Sequence, residues 1–92
     1  MTTYFLLVNF TDQGIRDIKD TIGRAEAFEQ MAKKSGVTLR ELFWTMGRYD
    51  VIAVFDAPDD VSAAALTLSA SSLGSVRAEI LRAFSFEDMK QI

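Results

Sequence analysis

The sequence predicts an α+β domain of βαββαβ order, with two helices packed on one face of a four-stranded antiparallel sheet. Three observations carry this. Residues 3–10, 37–46, 51–55 and 76–86 are runs rich in Phe, Trp, Val, Leu and Ile, the composition of strands. Between the first two runs, and again between the last two, the apolar period changes to that of a helix. Between the second and third runs stand only Gly47-Arg48-Tyr49-Asp50, four residues with a glycine, which read as a hairpin turn.

Each element follows from its residues. In the first strand Tyr4, Leu6, Val8 and Phe10 share one face and Phe5, Leu7 and Asn9 the other, as in a central strand covered on both sides. Thr11 is an N-cap, and Asp12 sits in the first turn, where the helix dipole favours a carboxylate. From Asp12 to Ser35, Ile15, Ile18, Ile22, Ala25, Phe28 and Ala32 form one stripe, with Met31 beside it. Asp20, Thr21 and Gly23 interrupt it. The expectation is a short helix, a bend near residues 20–23, and a main helix capped by Thr21 and stopped at Gly36. In the second strand Leu39, Glu41, Phe43 and Thr45 point one way, and Arg40, Leu42, Trp44 and Met46 the other. Gly47 adopts a positive φ at little steric cost, so the chain reverses there. In the third strand Val51, Ala53 and Phe55 oppose Ile52 and Val54.

Pro58 suits the first position of the next helix, Asp59 and Asp60 suit its first turn, and Gly74 ends it. No charged residue occurs between Asp60 and Arg77. Val61, Ala64, Ala65 and Leu68 are its expected sheet-facing stripe. Either the remaining small residues face water, or a neighbouring subunit covers the helix on a second side; the first reading is the simpler. In the last strand Val76, Ala78, Ile80, Phe84 and Phe86 share a face interrupted by Arg82, opposite Arg77, Glu79, Leu81 and Ala83. Ser85-Phe86-Glu87-Asp88 reads as a capping box for a final helical turn.

Composition narrows the function classes. The 92 residues make one domain, 1–92, and 49% hydrophobic content with seven Phe is enough for a core with little margin. The absence of cysteine excludes disulfide and thiol chemistry. The absence of histidine removes the commonest metal ligand, the usual general base and the usual proximal haem ligand, so no metal or cofactor is expected. A net charge of −3 argues against a nucleic-acid surface. The N-terminus lacks a basic n-region and no stretch is long enough to span a membrane, so the expectation is a soluble cytoplasmic protein.

Two βαβ halves joined by a hairpin are the ferredoxin-like arrangement. Strands one, three and four also place apolar residues on the face opposite the helices. An apolar face of that size is unfavourable in water. A two-fold homodimer that stacks the two sheets covers it, and the uncharged second helix leaves room for a higher homo-oligomer.

Gly47-x-Tyr49-Asp50 resembles the signature of the GYD domain proteins, small bacterial and archaeal proteins of mostly unknown function. Thr11-Asp12-x-Gly14-Ile15-Arg16, Asp20-Thr21, Arg24, Asp59-Asp60, Leu73-Gly74 and Arg82-Ala83-Phe84 are similar to the family pattern too, so the likeness covers nearly the whole chain. The resemblance implies a ferredoxin-like subunit and, through the wider superfamily, a dimeric α+β barrel. That superfamily includes haem-handling proteins, cofactor-independent oxygenases and muconolactone-isomerase-type enzymes.

Tyr49 and Asp50 are the candidate catalytic pair, with the phenol as acid or proton relay and the carboxylate orienting it. Turn chemistry is the competing account, in which Asp50 accepts backbone N–H groups of the hairpin and Tyr49 covers a core edge. Arg16, Lys19 and Arg24, near the start and bend of the first helical region, are candidates for holding an anionic group; a solvated face with local ion pairs is the competing account. Asn9, Trp44 and Arg48 complete the candidate ligand set, since the superfamily's oxygenases surround an aromatic substrate with Asn, Trp, Tyr and Arg; in the competing account Asn9 satisfies the end of the first strand and Trp44 packs in the core or the dimer interface. Three functions follow: a homodimer binding a small hydrophobic or aromatic ligand in or beside the barrel, a cofactor-independent oxygenase or isomerase-type enzyme using Tyr49 and Asp50, or an interaction module without a ligand.

Overall fold

The computed structural model describes residues 1–92 and has the expected order. Strands β1 (Thr2–Phe10), β2 (Thr38–Trp44), β3 (Val51–Ala57) and β4 (Val76–Ala83) form one sheet in the order β2-β3-β1-β4, every neighbour antiparallel. Helices α1 (Asp12–Arg16) and α2 (Thr21–Lys34), joined through a 3₁₀ turn at Ile18–Asp20, link β1 to β2; α3 (Asp60–Ser71) links β3 to β4. A short α4 (Phe86–Lys90) closes the chain. This is the ferredoxin-like topology, with the crossover helices on one face. No helix is long and apolar enough to cross a membrane.

The core lies between sheet and helices. Tyr4, Leu6 and Val8 of β1 and Val51, Ala53 and Phe55 of β3 are buried there with Ala32, Val37, Ala63 and Leu66. Tyr4 stacks on Phe55 with ring centroids 5.5 Å apart. The opposite sheet face is open. Phe5, Phe43 and Leu81 lie on it, exposed at 38%, 55% and 44%, beside the half-buried Leu7, Ile52 and Val54. At one end of this face Thr3 donates to Asp56 at 2.6 Å, and Arg40 lies 3.6 Å from the same carboxylate.

Local signals are realised at three helix starts. The Thr11 hydroxyl accepts from Gly14 N–H, Asp59 accepts from Ser62 N–H, and Ser85 and Asp88 form a reciprocal capping box. Because Asp59 is the N-cap, Pro58 precedes α3 instead of opening it. Asp20 occupies the α2 N-cap position without a side-chain bond, and the Thr21 hydroxyl instead accepts from Trp44.

Four apolar assignments differ from the pattern. Ile15, Ile18 and Ile22 are exposed, because the 3₁₀ turn breaks the helical phase; only Ala25, Phe28, Met31 and Ala32 of the stripe approach the sheet. A bulge between Leu39 and Glu41 inserts Arg40 and reverses the parity of β2, so Leu39, Leu42 and Trp44 share the helix side. On α3 the buried face is Ala63, Leu66 and Thr67, whereas Val61 and Leu68 of the expected stripe are 78% and 69% exposed. With apolar or small residues around most of its circumference, α3 carries no strong moment, and packing sets its rotation. Finally, β4 stops at Ala83, and Phe86 is the first residue of α4, 80% exposed.

Gly14 fixes where α1 meets the sheet. A Cβ there would lie 2.1 Å from the carbonyl oxygen of Ser75, so only glycine allows the approach. The same junction is tied by Thr11, whose N–H donates to Ser75 O at 3.0 Å and whose hydroxyl donates to Gly74 O at 2.6 Å.

Candidate functional site

The helix–sheet layer is filled at one end and hollow at the other. Near the C-terminal end of β1, α2 and α3 scarcely touch, and a partly open cavity of about 140 Å³ lies between them and the sheet. The cause is side-chain size. Where larger side chains would close the layer, α2 presents Ala25 and Ala27, and α3 presents Ala70 and Ser71. The floor is apolar, made by Leu6, Val8, Ala53 and Ala78 of the sheet, with Phe28 and Met31 on the α2 wall.

Polar groups are few and lie at identifiable places. Trp44, 46% exposed, lines the cavity, and its indole Nε1–H donates to the Thr21 hydroxyl at 2.9 Å, which fixes the ring against the start of α2. Arg24 also lines the cavity. Its guanidinium donates to the carbonyl oxygens of Asp17 at 2.8 Å and Gly14 at 3.4 Å, stapling α1 to α2. Thr67 is buried and donates to Ala63 O at 2.9 Å. Arg24 is the only charged side chain among the lining residues.

Of the residues singled out in the sequence, the structure brings Trp44 and Arg24 together at this cavity and leaves the others elsewhere. Arg16 is exposed on α1 and makes no ion pair. Asn9 stands on the open sheet face, paired in register with Arg77. Arg48 is exposed and lies 5.8 Å from the centre of the Tyr49 ring.

Tyr49 and Asp50 share a turn but are not hydrogen-bonded to each other. The Tyr49 hydroxyl donates to Glu79 of β4 at 3.1 Å. Asp50 Oδ2 accepts from the Phe10 N–H at 2.8 Å, and its own N–H donates to Val8 O at 2.8 Å. The β1–β3 ladder has ended at Val8 and Val51, and the carboxylate takes the next N–H of β1 in place of a paired strand. Its partner is therefore β1, and the hairpin is closed by other groups. Thr45 does this, donating from its N–H to Asp50 O at 2.8 Å and from its hydroxyl to Tyr49 O at 2.6 Å.

The perturbed ionisations lie away from the cavity. Burial of Tyr4, then its hydrogen bond to Asp60, raises the phenol above its ordinary value of 10.0. Asp59 and Asp88 are lowered by the N–H groups they accept from Ser62 and Ser85. No cluster of three carboxylates could hold a metal ion.

The sequence carried a signal for the cavity in the small, uncharged composition of residues 61–73, but only packing shows that Ala70 and Ser71 line it together with Ala25 and Ala27 of α2. Ala25, Ala27, Ala70 and Ser71 were therefore not singled out from the sequence as site residues.

Comparison with solved structures gives a match to the crystal structure of TTHA0845 from Thermus thermophilus. Its TM-score is 0.60 at 23% identity, covering 92% of this chain and 95% of that one, a likeness of fold. Comparison with curated proteins gives no match. The profile of the GYD domain matches residues 4–92, and the chain belongs to the GYD domain family.

Proposed function

We propose that the domain binds a small apolar or aromatic molecule in the cavity between α2, α3 and the sheet. The cavity itself carries the reading. Its volume of about 140 Å³ is close to the ~150 Å³ of an engineered apolar cavity that takes up benzene. An apolar lining with a few convergent polar groups is the ordinary make-up of a ligand pocket. The test is a ¹H–¹⁵N NMR titration with toluene. Amide shifts are expected to concentrate at Ala25, Phe28, Trp44 and Ala70. They are expected to vanish in Ala70→Leu, whose longer side chain fills the space. Shifts spread evenly over the surface, or unchanged in Ala70→Leu, would refute the reading.

The working form in this reading is a homodimer with open sheet faces stacked. Phe5, Phe43 and Leu81 support it as exposed apolar residues on one face. Sedimentation equilibrium at micromolar concentration is expected to give twice the 10.3 kDa chain mass, and Leu81→Glu to return it to the monomer. A monomeric parent protein would refute the stacking. Outward-facing Val61 and Leu68 of α3 support a further contact in a larger homo-oligomer.

A further inference from the structure

We propose that the molecule bound in this cavity is an anion, a carboxylate carried on a single aromatic ring or an apolar body of similar size, and that Arg24 receives the charged group. This rests on the cavity being a binding site and goes further, to the chemical class of its ligand.

The argument is one of charge balance. The ion pairs of the domain are Arg40 with Asp56, Arg82 with Asp60, and Lys90 with Glu87; Arg24 has no carboxylate within 4.0 Å. Its guanidinium is held by two backbone carbonyls, which accept hydrogen bonds but carry no net charge. Those bonds use one N–H each of Nη1 and Nη2, so Nε–H and the second hydrogens of both nitrogens have no partner in the protein. The side chain is half-buried, and no Asp or Glu lines the cavity. A partly desolvated cation without a counterion is unfavourable, and an anion arriving at its free donors offsets that cost.

Asp17 and Asp20 beside the 3₁₀ turn are exposed, and Asp17 offers Arg24 its main-chain oxygen while its carboxylate makes no ion pair. The chain as a whole is acidic, at −3, so attraction of an anion comes from this local cation and not from net charge. The two carbonyl bonds also hold the planar fork in place before a ligand arrives, which reduces the ordering cost of a two-point contact to a carboxylate. The cavity floor then accepts the apolar body.

Benzoate and toluene separate this inference from the underlying one, because they share a ring and differ in charge. Calorimetric or NMR titration is expected to show benzoate binding about tenfold more tightly than toluene, the advantage of one partly exposed charge-assisted contact. In Arg24→Gln that preference is expected to disappear, benzoate binding no more tightly than toluene. In the parent protein, the Arg24 Nε–H resonance is expected to move with benzoate and stay in place with toluene, a measurement that needs no variant to fold. Toluene binding with no preference for benzoate would overturn the anionic ligand and leave the cavity reading standing. A preference retained in Arg24→Gln, or an Arg24 resonance indifferent to benzoate, would overturn Arg24 as the receptor. Failure of both compounds to bind would overturn both inferences.

Discussion

Replacing Asp50 tests whether this signature residue holds the fold. Its Oδ2 accepts the Phe10 N–H at 2.8 Å, in a half-buried setting at the point where the β1–β3 ladder has ended. In Asp50→Ala the N–H loses its acceptor, and on that side, beyond the end of the β1–β3 ladder, no strand replaces it. Loss of a hydrogen bond to a charged acceptor costs about 1.5–3 kcal/mol; partial access of water to Phe10 places the expected value near ~2 kcal/mol. For a domain of this size that is a fall of about 10 °C in Tm. Asp50→Asn keeps an oxygen acceptor without the charge and is expected to lose about 1 kcal/mol. Tyr49→Phe removes only the exposed bond to Glu79 and is expected to change stability by less than about 0.5 kcal/mol. Urea denaturation of the three variants beside the parent protein measures all of these. An Asp50→Ala variant as stable as the parent would show that the bond to Phe10 contributes nothing. A Tyr49→Phe loss as large as that of Asp50→Ala would show that the hydroxyl is structural, and would remove Tyr49 as an acid.

Gly47 has φ +116° with open space around it, so Gly47→Val is expected to cost about 1–3 kcal/mol from backbone strain alone, read from the urea midpoint. Gly14→Ala is expected to cost about 3 kcal/mol and to loosen the Thr11–Ser75 contact, seen as faster amide exchange at Thr11, because its Cβ meets the Ser75 carbonyl. Tyr4 gives a pH dependence. Its folded-state phenol ionises above 10.0, so the neutral form is the one the fold favours. That stability is fully present below pH 10.0 and lost as pH rises through the raised value. Unfolding midpoints between about pH 8 and pH 11 should fall for the parent protein and flatten in Tyr4→Phe; identical alkaline limbs would contradict it.

The features legible in the sequence were local ones. The βαββαβ order, the caps at Thr11 and Ser85, and the reversal at Gly47 depend on residues within a few positions of one another. Periodicity also separated the two faces of β1 and β3 correctly, because a strand buried on one side repeats every second residue whatever packs on it. The rotation of α3 was not legible, since Ala, Ser and Thr fit either face of a helix and only its contact with the sheet chooses one. Nor was the bulge at Arg40, which reversed the faces of β2 and brought Trp44 over the helices. Asp50 showed itself as a turn residue, while its partner Phe10, 40 positions away, belongs to another strand. The cavity is the extreme case. It exists because small residues on two helices, distant in sequence, line a space that neither segment encloses alone.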